Sequence, residues 1–94
     1  MHVPAVETDH PEVRRIQPSW HCLLRFRQRG FRDPGADAAA DALRDVLREA
    51  DVARVPPSWA AGQSAAWWAV DGELAFPLAD QGGGTWLALT CLTR

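Results

Sequence analysis

The residue pattern predicts an α+β domain: two helices packed on a three- to four-stranded antiparallel sheet, in the order (β)ααβββ. Three observations carry that expectation. Small and aliphatic residues recur every three or four positions from Ala36 to Ala50, the period of a helix with one buried stripe. Three strand-like runs, Ser64–Val70, Glu73–Ala79 and Thr85–Thr93, close the chain. Turn residues separate them, Asp71-Gly72 as a type I′ hairpin signal and then Asp80 to Gly84 (DQGGG) as a longer return.

The elements follow in chain order. Residues 1–12 are polar, aperiodic and interrupted by prolines, and are expected to form a loose arm ahead of a single domain spanning 13–94. Val13 to Gln17 (VRRIQ) is a candidate short strand. Pro18-Ser19 then signals a helix start, with Ser19 as the N-cap. This helix is expected to run from Trp20 to about Arg29, with Gly30 as its left-handed stop. Asp33 is placed to cap the second helix, and Pro34 suits its first position. Asp37 and Asp41 lie toward its positive end and Arg44 and Arg48 toward its negative end, as the helix dipole favours. Beyond it, Pro56-Pro57 blocks any helix, and Trp59 falls in a docked loop ending at Gly62. Pro77 cannot donate to a ladder, so its strand is expected to be bent, bulged or unpaired on one side.

At 94 residues, of which 47% are apolar and five are tryptophan (Trp20, Trp59, Trp67, Trp68, Trp86), one core forms without metals or disulfides. Burying each such ring contributes roughly 2–3 kcal/mol before entropy is counted. Cys22 and Cys91 lack any paired-ligand spacing and are read as buried free thiols. No cofactor or metal motif is present, and there is no P-loop, G-x-G-x-x-G or G-x-S-x-G. The triple glycine Gly82 to Gly84 is read as a hairpin loop rather than a phosphate cradle. No apolar run reaches the ~20 residues a membrane span needs, and nothing marks export, so a cytoplasmic location without membrane partners is expected.

The net charge of −2 conceals a segregated distribution. Residues 14–32 carry six arginines (Arg14, Arg15, Arg25, Arg27, Arg29, Arg32) and no acid, whereas 33–51 carry six acids against Arg44 and Arg48. On the first helix, His21, Arg25 and Arg29 follow an i, i+4, i+8 ladder, which stacks them along one stripe. Gln28 lies within that sector; Trp20, Leu23, Leu24 and Phe26 fall on the opposite, apolar side, interrupted by Arg27; and Arg32 extends the stripe if the chain continues in register. One reading is a solvated face neutralised by nearby acids. The other is an anion site of guanidinium forks beside an imidazole able to move a proton. Trp67 and Trp68, adjacent on a strand, point to opposite faces; the one away from the helices is a candidate interface residue, and Trp67 joins the binding set. His2 and His10 are taken as incidental.

The run Trp20-His21-Cys22-Leu23-Leu24-Arg25-Phe26-Arg27-Gln28-Arg29, the mid-chain Pro56-Pro57-Ser58-Trp59 and the closing Leu89-Thr90-Cys91-Leu92-Thr93-Arg94 resemble the RelE/ParE-like small toxin superfamily over about residues 13–94. The resemblance implies a short N-terminal strand, a helical hairpin and a curled antiparallel sheet. It also implies metal-independent RNA cleavage, with His21 as proton shuttle, Arg25 and Arg29 as phosphate clamps, and Thr90 or Arg94 completing the site. The chain departs from that group in its net acidity and in having no lysine or tyrosine. Two functions are therefore expected from the His/Arg face. The first is an interaction module or phage-type inhibitor of a macromolecular partner, protein or RNA, with a homodimer among the candidate assemblies. The alternative is an endoribonuclease toxin.

Overall fold

The computed structural model describes residues 3–29, 36–60 and 62–94. Two helices, α1 (Trp20–Arg29) and α2 (Ala36–Glu49), cover one face of a mixed sheet. Its strands are β1 (Val6–Glu7), β2 (Arg15–Pro18), β3 (Asp51–Ala53), β4 (Trp67–Asp71), β5 (Leu74–Asp80), β6 (Thr85–Ala88) and β7 (Leu92–Thr93). They run β1-β2-β6-β5-β4-β3, with β7 also paired to β5. This corrects the expected three- to four-stranded antiparallel sheet. The class is α+β, but the sheet has seven strands, and β2 lies parallel to β6 in the register Arg15–Thr85 to Pro18–Ala88. The parallel pairing was hidden because it joins segments some seventy residues apart, and no local signal encodes such a pairing.

Residues 3–12 do not form the expected loose arm. Val6 and Glu7 pair antiparallel with Ile16 and Arg15, and Val3 and Val6 are buried in the main core. Three side chains fasten this segment. Gln17 donates through Nε2 to the Val3 carbonyl, Arg44 of α2 donates to the Pro4 carbonyl at 3.2 Å, and the Thr8 hydroxyl donates to the Val13 carbonyl. Valines spaced too widely for a regular strand read as polar loop, yet each reaches the core.

Ser19 caps α1 as expected: its Oγ accepts from the Cys22 amide at 3.0 Å and donates to the Leu89 carbonyl at 3.1 Å. Gly30, Asp33 and Pro34, expected to end α1 and begin α2, lie outside the described residues, as does Arg32. In α2, Ala39, Leu43 and Leu47 form the buried stripe at i, i+4, i+8, facing Phe26 and Leu23 of α1 and Phe76, Leu78 and Ala69 of the sheet. Asp37, Asp41, Asp45 and Glu49 occupy its exposed side.

The other sheet face has its own cluster. Trp68 and Ala75 are fully buried there, beneath Ala60 of a short 3₁₀ turn (Ser58–Ala60) and beside half-buried Trp59 and Ala65. Residue alternation along β4 explains the division: Trp67 and Ala69 face the helices, Trp68 and Val70 the loop.

The closing strand is broken. From the Leu78–Ala88 pair to the Ala75–Leu92 pair, β5 advances three residues and the opposing chain four. One extra residue is thus accommodated, as in a bulge. Pro77 lies opposite the break: its carbonyl accepts from the Leu89 amide at 3.0 Å, but it has no N–H to return. The β4–β5 hairpin is shifted by one residue from expectation. Asp71 pairs with Leu74, so the central residues are Gly72 and Glu73. Gly72 has φ +58° and, among the described residues, no non-glycine has positive φ, the sign pattern of a II′ rather than an I′ turn. No helix among the described residues is long and apolar enough to cross a membrane.

Candidate functional site

α1 is short, and only three of its ten residues, Cys22, Leu23 and Phe26, are buried. These lie within one ~100° sector of the helix. Everything opposite that sector faces outward, including two large apolar side chains: Trp20 is 57% exposed and Leu24 40%. The expected grouping of Trp20 and Leu24 with the core side is therefore corrected; Cys22 fills the core position instead. Leu89, 39% exposed, follows β6, and its carbonyl and that of Ala88 accept from Ser19, so the backbone holds a third exposed apolar residue at the start of α1.

Polar residues neighbour these side chains. His21 is exposed and, among the described residues, makes no hydrogen bond or ion pair. Arg25 is half-buried and donates to Gln28 Oε1 at 3.2 Å, one turn on. Arg27 is half-buried. Arg29 turns away from this group and donates to the Cys91 carbonyl at 3.4 Å. The two ion pairs among the described residues, Arg48–Asp45 and Arg54–Glu12, involve none of the α1 arginines. Among the described residues, His21, Arg25 and Arg29 are therefore not ion-paired with an acid.

The structure divides the expected site. Arg29 and Arg94 line a notch of about 350 Å³ with Glu73, Leu74 and Thr93, and neither His21 nor Arg25 contributes to it. Thr90 is half-buried and is not part of its wall. Trp67 lies elsewhere again. Its ring is covered by the Arg54 guanidinium, 4.3 Å from the centroid, and His10 packs against it edge-on at 4.6 Å. Trp68, the residue facing away from the helices, is sealed under this chain's own loop. The exposed tryptophan is Trp20, which the sequence pattern placed inside.

A second constellation escaped the sequence reading. His10, taken there as incidental, accepts through Nδ1 from the amides of Glu12 at 3.1 Å and Val13 at 3.0 Å. Its own amide donates to Thr8 Oγ1 at 3.1 Å. With Glu7, Thr8, Pro11, Arg14 and Arg15 it lines a notch of about 290 Å³ at the β1–β2 turn. The available signal was Thr8-x-His10-Pro11, a turn-forming run between valines, directly before paired arginines.

Cys22 and Cys91 are buried free thiols. Burial, opposed in part by Arg29, pushes the Cys91 thiol up to about 11. Burial, reinforced by Cys91, raises Cys22 further still. Both thiols remain protonated and unreactive at neutral pH. Compared with known proteins, the chain matches no family model, no curated sequence and no solved structure.

Proposed function

We propose that this chain is a protein-binding module that docks through the outward face of α1 onto a partner surface combining an apolar hollow with carboxylates. One observation carries the reading: Trp20 is 57% exposed, one turn from Leu24 at 40%, on a helix whose neighbouring His21 and Arg25 pair with no acid among the described residues. Displaying a tryptophan to water forgoes part of the roughly 2–3 kcal/mol its burial contributes. Tryptophan and arginine together are the residues that dominate binding energy at interfaces. A helix front is convex, which suits insertion into a partner's groove rather than enclosure of a substrate. This shape favours docking over cleavage at His21.

The test uses isotope-labelled protein titrated with an acidic amphipathic helical peptide, followed by chemical-shift mapping. A peptide with the same apolar pattern but basic charges serves as the control. The expected result is movement of the Trp20 indole, Leu24 and Arg25 signals with the acidic peptide alone, abolished in Trp20→Ser. Equal response to both peptides, or shifts confined to another face, would overturn the proposal. So would shifts of the α1 signals with a single-stranded RNA in place of the acidic peptide.

A further inference from the structure

We infer that the notch at the β1–β2 turn is a binding site for a terminal phosphate monoester, held by Arg14, Arg15 and the Nε2–H of His10. The inference is independent of the docking face on α1.

The turn builds the imidazole into place. Nδ1 of His10 accepts from two backbone amides, so the ring proton resides on Nε2. The ring is packed edge-on against Trp67 at 4.6 Å, which limits its rotation. A half-buried histidine of fixed tautomer thereby lines the notch, with its Nε2–H as the proposed donor to the ligand.

The arginines are organised by the glycine loop between β5 and β6. Arg15 donates through Nε to Thr85 Oγ1 at 3.0 Å and through Nη2 to the Gly83 carbonyl at 2.8 Å. These bonds fix its fork and leave Nη1 uncommitted. The amides of Arg14 and Arg15 both donate to the Gly84 carbonyl, at 2.9 and 3.0 Å. The Arg14 stem lies over Gly84, and among the described residues its guanidinium has no hydrogen-bond or carboxylate partner. The triple glycine does not cradle an anion itself; its carbonyls orient the groups that would.

Donors from three side chains around one small space suit a tetrahedral oxyanion better than a planar carboxylate, which a single fork satisfies. At about 290 Å³ the notch is at the small end for a ligand site and fits one phosphate and its attachment. Glu7 also lines it, and its carboxylate repels a second phosphate placed nearby. A monoester brings its two charges to one point, whereas a continuous strand would set further charges beside Glu7. Free phosphate, a small phosphomonoester and the end of an RNA strand share this chemistry.

The experiment is titration of the labelled protein with inorganic phosphate, then with two short oligoribonucleotides differing only in a 5′-phosphate. Phosphate is expected to move the His10, Arg14 and Arg15 signals, and the phosphorylated strand to bind more tightly than its unphosphorylated twin. Arg14→Gln, whose head group makes no hydrogen bond or ion pair among the described residues, should retain the wild-type melting temperature and bind phosphate about tenfold more weakly, the loss of one charge-assisted contact. Response to inorganic phosphate with no gain from the 5′-phosphate on the strand places the natural ligand among small phosphomonoesters. No shift at these residues, an unchanged affinity in Arg14→Gln, or a response only to the strands and equal for both, overturns the inference.

Discussion

The stem of Arg14 lies across Gly84 so closely that a Cβ built on the glycine would meet Arg14 Cδ at 2.8 Å and its Cβ and Cγ at 3.2 Å. Gly84 also has φ +82°, where an L side chain is strained, and its carbonyl receives both arginine amides. Gly84→Ala is therefore expected to lower stability by about 1–2 kcal/mol from backbone strain alone. It should also displace the Arg14 head group and weaken phosphate binding. Urea denaturation reads the first effect; an unchanged midpoint contradicts it.

The two neighbouring tryptophans of β4 should respond very differently to truncation. Trp68 is fully buried between the sheet and Trp59, Ala60 and Ala65, so Trp68→Ala is expected to cost about 3–5 kcal/mol. It should also open the chain near Gly62 to proteolysis. Trp67 is half-buried under Arg54 and His10, and Trp67→Ala should cost clearly less. Equal losses would mean that the second cluster contributes nothing of its own.

The N-terminal segment is structural. Removing residues 1–7 deletes two buried valines, Val3 and Val6, and exposes the edge of β2. The expected loss is about 3 kcal/mol or more, measured by thermal and urea unfolding. Native-like stability in the truncated chain would restore the picture of a dispensable arm.

On α1, truncating what is exposed should leave folding untouched. Trp20→Ala and Leu24→Ser are each expected to change stability by no more than about 0.5 kcal/mol, while the acidic-peptide response disappears. A large destabilisation would mark these side chains as part of the core after all.

The thiols give the chain an alkaline limit. Folding holds the proton on Cys91 up to about 11 and on Cys22 beyond that, whereas an unfolded chain releases thiol protons near the ordinary value of 9.0. Above that ordinary value the unfolded state binds fewer protons than the folded one, so stability falls as pH rises. The contribution is fully present below the ordinary thiol value and is lost as pH climbs through the folded-state values. Denaturation midpoints across this window should decline less steeply in the Cys22→Ala/Cys91→Ala double variant. The same thiols should resist a thiol reagent at mildly alkaline pH until the protein unfolds.

What the linear chain determined by itself was local. The Ala39–Leu43–Leu47 stripe, the Ser19 cap, the two free buried thiols and the break opposite Pro77 each depend on side-chain period, capping chemistry or a missing donor within a few residues. The parallel union of β2 with β6, the second cluster around Trp68 and the pinning of Val3 and Val6 depend on contacts between distant segments, which only the assembled fold selects. The same division runs through the candidate sites. The His21–Arg25 stripe was legible as helical spacing, but which flank of α1 the sheet would cover was not, so Trp20 was misplaced. The His10 notch requires a turn, two strands and a glycine loop to meet, and hydrogen bonds over that sequence distance leave no periodic trace.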